Sequence, residues 1–250
     1  MSMRWRATVA YDGTAYLGFQ RQIGDTPTIQ LALERAVERI SGEPVTVIGA
    51  GRTDSGVHAT GQVIHFDLDW SHDERALLKA INAHLPQDIA LQDLRPAPGF
   101  HARFDAQARL YRYRIIAADQ RHPLWVHRAW HIWRGLDADG LHQAAALLLG
   151  EHDFAAFGHA PSGENTIRRV SVSEWRAERE AYGLLWTYSV EATAFLHHMV
   201  RRMVALQVTV AQGRMTLADF EALFRRAVLA DSVTIAPPQG LTLEAVRYRD

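Results

Sequence analysis

The residues best suited to chemistry stand in one loop, Gly49-Ala50-Gly51-Arg52-Thr53-Asp54-Ser55-Gly56-Val57-His58-Ala59-Thr60-Gly61. Arg52 and Asp54 carry opposite charges two positions apart, and four glycines among those thirteen residues permit positive φ and close approach of the backbone. A carboxylate held ionised beside a guanidinium on a rigid loop can work on a phosphate-bearing substrate as a nucleophile. The same pair can equally be a turn salt bridge, and spacing alone does not separate the two. Asp54 is the leading carboxylate, because Asp67 and Asp69 fall at the far end of the following β-like run and read as solvated. His58 and His65 have no third ligand at a recognisable spacing, and Cys is absent, so no metal site is expected.

Basic and aromatic residues supply a second signal. Arg109-Leu110-Tyr111-Arg112-Tyr113-Arg114 has period two, which puts Arg109, Tyr111 and Tyr113 on one face and Leu110, Arg112 and Arg114 on the other. The first face can stack on a nucleobase and hold its backbone, or it can belong to a half-exposed strand with packed tyrosines. Further along, Phe195, Met199 and Met203 form a core-type stripe on an expected helix, Phe195–Ala211, while His198, Arg201 and Arg202 can border a cleft. Adjacent helical residues face different ways, so His197 and His198 are not expected as paired ligands. No Gly-x-Gly-x-x-Gly or Walker-type loop occurs, which argues against nucleotide cofactors and NTPase chemistry.

These groups need a scaffold, and 250 residues with 48% hydrophobic content can bury one large core or two smaller ones. Strand-like runs at 4–11, 63–68, 89–94, 107–117, 131–133, 169–178, 184–192 and 241–248 alternate with helical patterns at 73–82, 137–149, 195–211 and 217–225. A further helix follows Thr26-Pro27, read as cap and first turn, and stops near Ser41-Gly42. The pattern predicts an α+β protein of two similar α/β halves, residues 1–105 and 106–250. Without an apolar leader or a membrane-length segment, and without Cys, a soluble cytoplasmic protein is expected. Lys and Arg total 27 against 28 for Asp and Glu, so any polyanion must be met by local segregation of charge, as at Arg168-Arg169 and Arg201-Arg202.

Several segments together resemble the bacterial tRNA pseudouridine synthase A family. They are Tyr11-Asp12-Gly13-Thr14, Gly18-Phe19-Gln20-Arg21-Gln22, the loop from Ala50 to His58, Gly61-Gln62-Val63 and Asn82-Ala83-His84-Leu85-Pro86. Further on come Phe100-His101-Ala102-Arg103-Phe104, Tyr111-Arg112-Tyr113, Leu149-Gly150-Glu151-His152-Asp153-Phe154, His198-Met199-Val200-Arg201 and Gly240-Leu241. The resemblance implies isomerisation of uridine to pseudouridine at positions 38, 39 and 40 of the tRNA anticodon stem-loop, on a pseudouridine synthase fold with a large, mainly antiparallel sheet flanked by helices. It further implies that Asp54 is the nucleophile, that Arg52 accompanies it, that Tyr111 stacks on the target base and takes part in proton transfer, and that Leu241 walls an apolar pocket. Arg52, Arg201 and the Arg168-Arg169 pair become candidates for phosphate or local charge contacts. No cofactor or metal is implied; tRNA and a second copy of the chain in a homodimer are the implied partners. Ser55, Leu110, Thr193 and Arg202 depart from the residues usual at their positions, and none of them removes a reacting group.

Overall fold

Alternation of buried and exposed positions makes the first strand: Trp5, Ala7, Val9 and Tyr11 are buried while their neighbours are not, as period-two geometry requires. In the computed structural model, which describes residues 2–133, 135–230 and 233–249, the elements run β1 (Met3–Tyr11), α1 (Ile29–Ser41), β2 (Ile48–Gly49), β3 (His58–Leu68), α2 (Glu74–His84), β4 (Ile89–Pro96) and β5 (Ala108–Ala117). There follow β6 (Trp130–Ile132), α3 (Ala138–Ala146), β7 (Gly150–Asp153), β8 (Ile167–Glu180), β9 (Gly183–Ala192), α4 (Met199–Ala211), α5 (Leu217–Arg226) and β10 (Leu241–Arg247). The class is mixed α/β, with a large, mainly antiparallel sheet flanked by helices.

By contacts the chain forms two compact units, one of Met1–Gln107 with Thr242–Asp250 and the other of Ala108–Leu241. The sequence divides once, at 105/106; the contact division also returns the last strand to the first unit. There β3 pairs antiparallel with β1 and β2, and parallel with β10 through Thr242 opposite His58 and Leu243 opposite Ala59. The outer edge of β1 carries β4. A Cβ at Gly61 would collide with the Glu244 carbonyl, so this crossing needs glycine for space rather than for its φ. Leu33 and Val37 of α1 and Leu77 and Ile81 of α2 are wholly buried in this unit. Gly42, in the left-handed region, ends α1, whose cap is Thr28 and not Thr26; the Thr28 side chain accepts from Leu31 N–H.

In the second unit β5, β9, β8 and β7 follow one another antiparallel, with β6 parallel to β5. A buried polar chain ties these strands to the helices. Ser173 Oγ meets Tyr188 Oη at 2.7 Å and donates to the Ala145 carbonyl, while Trp175 Nε1 donates to Gln207 Oε1 at 2.8 Å. Each group finds a partner, so their burial carries no unmet desolvation cost. An aromatic cluster of Phe154, Phe157, Phe220 and Phe224 closes the helical side.

Candidate active site

The Asp54 loop is fastened to the turn after β1 at both flanks. On the near side the hydroxyls of Tyr11 and Thr53 meet at 2.8 Å in a buried position, and Phe19 N–H donates to the Thr53 carbonyl at 3.0 Å. On the far side Gly56 N–H and Ser55 Oγ both donate to the Tyr16 carbonyl. Gly13 N–H donates to His58 Nδ1 at 3.0 Å, and a Cβ at Gly13 would strike the Val57 carbonyl. Val57 N–H closes a turn onto the Asp54 carbonyl at 3.1 Å, a turn that Gly56 permits with φ 76°. Asp54 itself is half-buried, with buried Thr53 before it and exposed Ser55 after it, and Arg52 is exposed. Of the four loop glycines only Gly56 takes positive φ; Gly49 is needed because a Cβ there would enter the Phe19 ring. The result is a carboxylate on a braced loop, the form a reacting group requires.

Tyr11, Gly13, Tyr16 and Phe19 are thus positioning residues that spacing alone does not reveal. Burial pushes the Tyr11 hydroxyl well above the ordinary tyrosine range, so it serves as a neutral hydrogen-bonding group beside Thr53. The two histidines weighed as ligands have structural duties. His58 Nδ1 accepts from Gly13 and lies 3.2 Å from Asp12, and His65 Nδ1 accepts from Ala102 N–H at 3.1 Å. Desolvation, with the Arg4 and His101 charges adding to it, lowers the His65 pKa to about 4.

The other expected site residues lie in the second unit, apart from Arg52 and Asp54 in the chain. Tyr111 is buried on β5, opposite Val190 of β9, with its ring edge-on to Phe195 at 5.1 Å. Tyr113, on the same face, is a core residue whose hydroxyl donates to the Pro237 carbonyl at 2.7 Å. Leu241 is buried where β10 begins. Arg168 donates to the Asn165 and Ile167 carbonyls and loses basicity to desolvation, whereas Arg169 beside it is exposed. Arg201 donates to the Ala236 carbonyl through Nε, and Arg202 donates to the carbonyls of Phe157 and His197.

The helix expected from Phe195 begins four residues later, at Met199. His198 is its cap and sits in the left-handed region with φ 62°, unusual for a residue with a side chain. Two expectations change with it. Phe195 leaves the Met199/Met203 stripe and packs on Tyr111, and the His197 and His198 rings stack at 3.7 Å instead of diverging.

The profile described as tRNA pseudouridine synthase matches residues 7–105 and 144–249, the first segment containing the Asp54 loop and the second Leu241 with the four arginines. Tyr111 falls between the two matched segments. A tRNA pseudouridine synthase A of Neisseria gonorrhoeae is 42% identical over 250 residues, covering 98% of this chain and 92% of the relative. Another, of Chloroflexus aurantiacus, is 42% identical over 247 residues, covering 96% and 87%. A chain of a solved structure, "Crystal Structure of a Cbf5-Nop10-Gar1 Complex", aligns with 81% of this chain and 54% of its own at 13% identity and a TM-score of 0.33, a likeness too low to argue from. The profile match and these relatives place the chain among the tRNA pseudouridine synthases, enzymes of the isomerase class, and it belongs to the tRNA pseudouridine synthase A family.

Proposed function

We propose that this chain converts uridine to pseudouridine at positions 38, 39 and 40 of the tRNA anticodon stem-loop, with Asp54 as nucleophile, and that it does so as a cytoplasmic homodimer. The reading is carried by one observation: Asp54 is half-buried on a loop that hydrogen bonds hold at both flanks, through Thr53 and Gly56. A fixed anionic oxygen suits a reaction in which a glycosidic bond must be broken at C1′ and remade without losing the base.

In this account the target nucleotide leaves its stack and enters the site. The Asp54 carboxylate assists departure of uracil from C1′ as the N1–C1′ bond breaks, and the electron pair stays on the base. The base turns, C5 bonds to C1′ as the carboxylate withdraws, the C5 proton leaves and N1 gains one. Atoms and electrons balance within the substrate, so the chemistry calls for no co-reactant. Tyr111 offsets part of the lost stacking and offers a hydroxyl for the proton transfer at C5. Arg52, Arg169, Arg201 and His198 contribute charge and donors for the RNA backbone, with Leu241 as an apolar wall for the base; Arg168 and Arg202 act through the carbonyls they hold as well as through their charge.

The test is an unmodified tRNA transcript incubated with purified protein and no additive, then mapped with a pseudouridine-specific carbodiimide. Modification confined to positions 38–40 supports the assignment. Modification elsewhere in the transcript refutes the site assignment, and release of free uracil refutes the isomerisation.

A further inference from the structure

Starting from His65 on β3, three rings form a column from interior to surface. Buried His65 on β3 packs against His101 with centroids 4.7 Å apart, and His101 stacks on Phe104 at 4.2 Å with an interplanar angle of 28°. Phe104 ends the column with 76% of its surface exposed. The Arg103 guanidinium stands 5.9 Å from the Phe104 ring centre.

The segment that carries this ring is rigidly attached. Ala102 N–H donates to His65 Nδ1, and the Ala102 carbonyl accepts from Tyr248 Oη at 2.7 Å. His101 Nδ1 accepts from the backbone amides of Arg103 and Phe104, while Asp105 binds back to His101 with its carboxylate and its N–H. Phe100 lies under the Arg6 guanidinium at 4.7 Å. An exposed aromatic ring left to solvent forfeits favourable burial, yet here the surroundings are organised to present it with one face supported.

We propose that Phe104 is a stacking platform for an unpaired nucleobase of the RNA substrate, with Arg103 holding the adjoining phosphate. The inference rests on the proposed action on tRNA and adds a second point of contact to it. A single supported ring matches the area of one base, whose π-face stacks irrespective of sequence, and a flanking guanidinium meets the charge that accompanies it. A protein partner would require a contiguous apolar area; Phe104 is instead flanked by Arg103 and Asp105, both exposed. The Asp105 charge is directed inward, onto His101 N–H at 2.8 Å.

Binding of an unmodified tRNA transcript by the full chain, measured by fluorescence anisotropy at fixed salt, tests this for the parent, Phe104→Ala and Phe104→Trp. Loss of one base–aromatic stack predicts affinity weakened roughly 5- to 100-fold in Phe104→Ala and largely restored in Phe104→Trp, with unfolding temperature and solution mass those of the parent. Parent-like affinity in Phe104→Ala overturns the platform. So does a fall in affinity accompanied by a smaller solution mass, which would make the ring part of an interface between copies. Should the parent leave tRNA uridines unconverted while RNA binding still depends on Phe104, the proposed reaction fails and the platform stands.

Discussion

The hydroxyls of Tyr11 and Thr53 meet at 2.8 Å in the interior, one residue before the carboxylate assigned to the chemistry. Tyr11→Phe removes that contact while keeping the ring, and leaves a buried threonine hydroxyl short of a partner. Stability should fall by about 1–3 kcal/mol. Turnover should drop several-fold, more than tRNA affinity does, because the bond fixes the position of Asp54 without facing the RNA. Chemical denaturation and single-turnover assays on the same preparation check both effects.

His65 sets a pH dependence of folding. In the unfolded chain it titrates at its ordinary 6.5, and in the fold at about 4. Between those values the unfolded chain binds more protons, so stability is full above about 6.5, declines as pH falls through the window and levels off below about 4. The shift corresponds to an upper bound on the order of 3 kcal/mol. Urea denaturation of the parent and of His65→Gln at pH 7, 5.5 and 4.5 should give a variant that is weaker at neutral pH, having lost the ring that accepts from Ala102, and flatter across the window.

Tyr111 separates stacking from proton chemistry. Tyr111→Phe keeps the ring that packs on Phe195 and removes the hydroxyl, so turnover should collapse with RNA binding retained. Tyr111→Leu should lose both, together with some stability because the residue is buried. Equal, mild losses of activity in the two variants would place Tyr111 outside the site.

The arginines should divide by their bonds. Arg169 is exposed, and Arg169→Gln should reduce the salt dependence of tRNA binding by roughly one unit of slope at an unchanged unfolding temperature. Arg202 donates to the Phe157 and His197 carbonyls, so Arg202→Gln should lower the unfolding temperature as well. Binding titrations over a salt series, paired with calorimetry, distinguish the two.

Legibility in the sequence followed locality. Strands β8 and β9, the start of α2 beside Asp73 and the stop at Gly42 depend on neighbours within a few residues, and each lies within a few residues of its expected position. The Asp54 loop stood out for the same reason, since its glycines and charges are consecutive. What escaped depends on distant partners. His198 takes its left-handed conformation directly after a carbonyl, that of His197, which lies against Gly158 and accepts from Arg202, so the apolar pattern carries the expected helix four residues too far toward Phe195. Parallel pairing of β10 with β3 joins residues 184 positions apart, with Gly61 as a local trace. Tyr11 and Phe19 belong to segments that carry the resemblance, but their bonds to Thr53 come only with the fold.

Asp54→Asn isolates the proposed nucleophile. The amide keeps the size of the carboxylate and most of its hydrogen-bonding capacity, but has no anionic oxygen to act at C1′. Parent and variant should be compared on one unmodified tRNA transcript without additives, following pseudouridine content, tRNA affinity and unfolding temperature together. The variant should form no detectable pseudouridine, with binding and stability close to those of the parent; near-normal pseudouridine formation by Asp54→Asn would contradict a nucleophilic role for Asp54.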